Sequence, residues 1–119
     1  MKNKNDSLSP MSPIDEIVEI MYDKQLCYID EIEVVNVVYS KDKSKRFVVT
    51  KSNKGFYKIE YEEICLFDEQ EWSYICNNED ALPAYWSAID DLNSHSFYGT
   101  EDDAMNAIQQ DSKYRQHFK

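Results

Sequence analysis

Two histidines, three cysteines and two runs of carboxylates are the residues of this 119-residue chain that could do chemistry. His95 sits in Asn93-Ser94-His95-Ser96, but a serine beside a histidine is weak ground for a nucleophile and its base, because triads are assembled across a fold. His117 stands two residues from the C-terminus. Cys27, Cys65 and Cys76 form no CxxC pair, and the interval from Cys65 to Cys76 suits facing strands better than a zinc knuckle. A site built from Cys65, Cys76 and His95 is the most that metal chemistry could assemble. Glu60, Glu62 and Glu63, like Glu101, Asp102 and Asp103, lack the alternating acids and mid-loop glycine of a calcium loop. With two glycines in all, there is no phosphate-cradling loop. The expectation is a protein without catalytic, cofactor or metal residues, not an enzyme.

The elements that would position any site follow from periodicity. Residues 1–11 read as a mobile N-terminal segment and 12–119 as a single α+β domain, long enough to bury a core without staples. Ser12 and Pro13 resemble a helix start, and Ile14, Ile17, Val18 and Met21 give one apolar face, predicting a helix over 13–24. The β-branched run 32–39 predicts a strand, 46–51 the returning strand, and Ser52-Asn53-Lys54-Gly55 the turn into a third. In that third strand Tyr57, Ile59 and Tyr61 keep period two before the phase switches to Ile64 and Leu66, which predicts a β-bulge near Glu62-Glu63. Trp72 to Cys76 is expected as a fourth strand, and 81–86 as a less regular segment. Thr100 caps a helix over 101–111 whose first turn is loaded with Glu101, Asp102 and Asp103, and Tyr114 and Phe118 follow as further anchors. The fold class expected is α+β, an antiparallel β-meander of about four strands flanked by an N-terminal and a C-terminal helix.

Charge is the informative feature. Acids outnumber bases 23 to 13, a formal charge of −10. From 59 to 112 there are 14 acids and no lysine or arginine, whereas 41–58 carry seven bases against Asp42 alone, a net of +6. An acidic surface repels nucleic acid and anionic lipid but steers a basic protein, so neither direct nucleic-acid binding nor a membrane is expected. Met1 to Ser12 contains no apolar stretch of a secretory signal, and the thiols suit a reducing compartment, so the expected location is cytoplasmic. The acids lie among aromatics, and aromatic anchors in a charged rim are how tight interfaces are made. The candidate partner-binding residues are Glu60, Glu62, Glu63, Asp68, Glu69, Glu71, Trp72, Tyr74, Glu79, Asp80, Tyr85, Trp86, Asp90, Asp91 and Tyr98.

With its size, acidity, helix, meander and the run LPAYWSAIDDLNSHSFYGTEDDAMNAI, the chain resembles immunity proteins of bacterial polymorphic-toxin and contact-dependent growth inhibition systems. The resemblance covers roughly residues 60–119 and carries over no individual residue. It implies a cytoplasmic protein that binds and neutralises a cognate toxin domain, often a basic nuclease. Two other readings stand beside it: an acidic DNA-mimic or anti-defence inhibitor, which the basic 41–58 hairpin fits less well, and a small ligand-binding or enzymatic domain.

Overall fold

The computed structural model of the protein describes residues 8–26, 31–78, 80–89 and 96–119. Its elements are α1 (Ile14–Met21), β1 (Ile32–Tyr39), β2 (Lys45–Ser52), β3 (Tyr57–Leu66), α2 (Glu69–Ile75), β4 (Ala84–Ile89), α3 (Glu101–Gln110) and α4 (Ser112–His117). The strands form one sheet in the order β1-β2-β3-β4, antiparallel where β1, β2 and β3 pair, so the expected α+β class with helices at both ends is what the chain adopts. Two compact units are drawn from this order, one from residues 1–25 and 64–87, the other from 26–63 and 88–119.

In the second unit, alternation along the strands builds the core. Phe47 and Val49 of β2, Ile59 and Tyr61 of β3, and Ala104 and Ile108 of α3 are buried together, with Val35, Val38, Tyr114 and Phe118 packed against them. Full burial of each large side chain contributes about 1.5–3 kcal/mol. Phe47 meets Tyr61 and Phe118 with ring centroids 5.0 and 4.8 Å away. Thr100 caps α3 by accepting from Asp103 N. A new cap, Asp111 accepting from Lys113 N, starts α4 and delivers Tyr114 and Phe118 to the core.

On the opposite face of the same strands lies a row of polar groups. Arg46 of β2 is paired in register with Tyr39 of β1 and Glu62 of β3. Its guanidinium is fully buried; Nε donates to Glu62 Oε1 at 2.6 Å and Nη1 to the Tyr39 hydroxyl at 3.4 Å. Fully buried guanidinium is tolerable only with such partners. The β1–β2 loop is tied by Asp42, whose Oδ1 accepts from Ser40 Oγ, Ser44 N and Ser44 Oγ at 2.8, 3.0 and 2.7 Å. The Ser44 backbone N–H first, then the Ser44 and Ser40 hydroxyls and the charge of Lys45, hold this carboxyl at about 2, below its ordinary 3.8. Gly55, at φ 87°, takes the left-handed position of the β2–β3 turn, as expected there.

In the first unit, Ile17, Val18 and Met21 are the buried face of α1. Leu8, within the expected lead-in, is also buried. Ser12 does not cap α1; its hydroxyl accepts from Ser9 N and closes a turn ahead of the helix. The helix stops at Met21, three residues short of expectation. There the Trp86 indole donates to Met21 O at 2.9 Å, Trp86 N donates to Gln25 Oε1 at 2.8 Å, and Asp23 and Gln25 adopt positive φ.

Two further expectations are overturned. Trp72 to Cys76 is not a strand: Asp68 accepts from Glu71 N at 2.8 Å and the Glu71 carboxylate accepts from Asp68 N at 3.2 Å, a reciprocal capping box that starts α2 instead. The fourth strand is Ala84–Ile89, where buried Ala84 and Trp86 alternate with Tyr85 and Ser87. The bulge is likewise not at Glu62-Glu63, since β2 and β3 pair without a shift from Lys45↔Glu63 to Lys51↔Tyr57. It lies in β1 between Val34 and Asn36.

Replacing Glu62 by Ala leaves Arg46 buried without its carboxylate and is expected to cost about 3–5 kcal/mol in urea unfolding. The double change Arg46→Met and Glu62→Leu should recover most of that loss. Asp42 acts on pH dependence: because its folded pKa is depressed, its contribution is present above about pH 4 and is lost as pH falls towards 2. Asp42 is exposed, so screening limits it to about 1 kcal/mol. Asp42→Asn should lower the urea midpoint at pH 6 and converge with the parent chain near pH 2.

Candidate functional site

The fifteen residues expected at an interface separate into three groups. Glu60, Glu62, Glu63 and Tyr98 belong to the second unit and are drawn into its own fabric. Glu62 pairs with Arg46, Glu60 Oε1 lies 3.7 Å from Lys58 Nζ, and Glu63 Oε1 accepts from the Tyr61 hydroxyl at 3.4 Å. Tyr98 forms a two-bond bridge with Tyr57, N to O at 2.9 and 2.8 Å. Asp68, Glu69, Glu71, Trp72, Tyr74, Asp80, Tyr85 and Trp86 belong to the first unit. Glu79, Asp90 and Asp91, together with His95, lie outside the described residues.

Charge partitions unevenly between the units. The first holds ten acids and three bases over its sequence, ten minus three leaving seven net negative charges. The second holds thirteen acids and ten bases, thirteen minus ten leaving three. Part of the basic hairpin seen in the sequence is matched in place: Lys45 stands opposite Glu63, Arg46 opposite Glu62, and Lys51 opposite Glu33. Among the described residues of the first unit Lys24 is the one base, against Asp15, Glu16, Glu19, Asp23, Asp68, Glu69, Glu71 and Asp80.

That unit also presents apolar surface. Pro10, Met11, Leu66, Phe67 and Trp72 surround a groove of about 280 Å³ whose lining Asp68 and Glu69 extend. Met11 is 80% exposed and Leu66 45%. The groove's shape is fixed from behind: Phe67 lies 4.9 Å from the Tyr85 ring, centroid to centroid, and its N–H donates to Pro83 O at 3.3 Å. Beside it, α2 buries none of its residues, and Tyr74 is 77% exposed. A helix of seven residues is too short to persist on propensity, so its cap carries much of the burden of forming it. Trp86, by contrast, is buried and committed to Met21 and Gln25.

The sequence reading missed Met11, Leu66 and Phe67, and the acids of α1. No linear signal joins residues 8–25 to 64–87; only the topology does. The D-x-x-E spacing at Asp68 and Glu71 was a readable sign that Trp72 and Tyr74 sit on a helix.

Among the described residues no group of three histidine, cysteine or acidic side chains is placed to hold a metal ion. No helix among them is long and apolar enough to cross a membrane. Cys65 is half-buried and Cys76 is exposed at the C-cap of α2. Comparison with protein-family models, with curated proteins and with solved structures finds no match for this chain.

Asp68→Ala removes half of the capping box, and about 1 kcal/mol of local stability should go with it. Amide exchange across 69–75 is expected to accelerate about fivefold while exchange in β2 stays unchanged; equal protection in both proteins would show that α2 does not depend on its cap.

Proposed function

We propose that the chain is a protein-binding inhibitor whose acidic first unit captures a basic partner, acting as an immunity protein towards a cognate toxin domain in the cytoplasm. The observation that carries this reading is the partition of charge. Seven of the ten net negative charges fall to the unit that also exposes α2 and an apolar groove. Like charge gathered on one compact body repels itself, and a cationic partner relieves that repulsion while being drawn in at long range. A nuclease domain, which must attract phosphate, has the complementary surface. The resemblance of the C-terminal half to immunity proteins supports the same class of partner.

The test begins with capture of the partner from the source cell. Expressed alone, the captured protein should arrest growth, and co-expression with this chain should restore it; a harmless partner would count decisively against the immunity role. The association rate should fall steeply between 50 and 500 mM salt. Glu69→Lys with Asp80→Lys, both at exposed positions outside the capping box, should slow association at low salt by about tenfold. Rates indifferent to salt and to these changes would remove the electrostatic basis of the proposal.

A further inference from the structure

The groove on the first unit has a feature that charge alone does not explain. Its walls are apolar on both sides: Pro10 and Met11 come from the segment ahead of α1, Leu66 from the end of β3, Phe67 from the residue after it, and Trp72 from α2. Apolar surface of this kind, left open to water at Met11 and Leu66, is unfavourable in an isolated chain unless something covers it. A half-buried tryptophan is the residue type most often found where binding energy concentrates. The groove's polar lining includes two carboxylates, Asp68 and Glu69, and Lys24 is the one base among the described residues of the unit. Asp68 already holds the start of α2 through Glu71 N, whereas Glu69 stands exposed in the first turn.

We infer that the groove takes a single large apolar side chain, leucine-sized or aromatic, presented by a segment of the partner that carries lysine or arginine on either side of it. The inference rests on the basic-partner reading and adds to it the place and chemistry of the anchor. The flanking cations meet Glu69 and the acids around it, and the apolar side chain displaces water from Leu66, Phe67 and Trp72. The volume of about 280 Å³ admits one such side chain rather than an amphipathic helix with several anchors. Charge sets how fast the segment arrives, and the groove sets how long it stays.

Two synthetic seven-residue peptides test this on the full chain, one with three lysines on each side of a central leucine and the other with serine in that place. Calorimetry at 50 mM salt is expected to show the leucine peptide binding about tenfold tighter or better, the worth of burying one leucine. Trp72 supplies a second readout: the leucine peptide should protect its fluorescence from iodide quenching, while the serine peptide does so less. Met11→Ser and Leu66→Ser, both at exposed positions, should narrow the difference between the peptides and leave the salt dependence as it was. Equal affinity of the two peptides, both falling with salt, would overturn the anchor and leave the acidic-surface reading standing. Binding of neither peptide at low salt would overturn both.

Discussion

Arg46 is fully buried in the middle strand of the second unit, and the arrangement around it follows from that placement. A guanidinium cannot leave water without a carboxylate, and Glu62 supplies one from the residue directly opposite. The same register that joins Arg46 to Glu62 places Phe47 beside Tyr61 and Val49 beside Ile59 on the other face. A slip of one residue would turn the guanidinium into the aromatic core and expose the core to the other side. The ion pair and the apolar cluster therefore specify the same alignment, one by chemistry and the other by burial. Asp42 reinforces it from the loop, where its three accepted hydrogen bonds hold the entry to β2.

Much of this was legible in the sequence, and what was not has physical causes. β1, the β2–β3 turn at Gly55, and α3 with its Thr100 cap declare themselves through periodicity and capping, both of which act between near neighbours. The stretch 69–75 was misread because Trp72, Tyr74 and Ile75 look like strand residues, while the deciding signal is a pair of side-chain to backbone bonds at Asp68 and Glu71. The phase change after Tyr61 is not a bulge against β2, because the two strands pair without a shift as far as Glu63. The end of α1 was not predictable, because it depends on an indole arriving from Trp86, more than sixty residues away. The candidate site was half legible: Asp68, Glu69 and Trp72 stand in one stretch with Leu66 and Phe67, but Met11 joins them only through the fold.

The charge pattern illustrates the difference between order along a chain and order in space. Read linearly, a basic hairpin precedes a long acidic half. In the folded second unit Lys45, Arg46 and Lys51 of that hairpin stand opposite glutamates of neighbouring strands, so part of the contrast is consumed internally. What survives is the excess on the first unit, to which α1 contributes acids the linear reading had left aside.

The irregularity in β1 has one more consequence. Five of that strand's eight residues are β-branched, and it lies at an end of the sheet order, with no strand on its outer side among the described residues. Such a strand is a template on which further copies can stack into fibrils. The extra residue between Val34 and Asn36 sends Val35 toward the core and brings the Asn36 amide within 3.4 Å of Met105 Sδ, so the outer backbone departs from an even ladder. Glu33 adds an exposed charge just before the kink. An incoming strand would have to match the same two-against-one step to pair along its length, and by this means a strand composed like an amyloid segment is kept a poor seed.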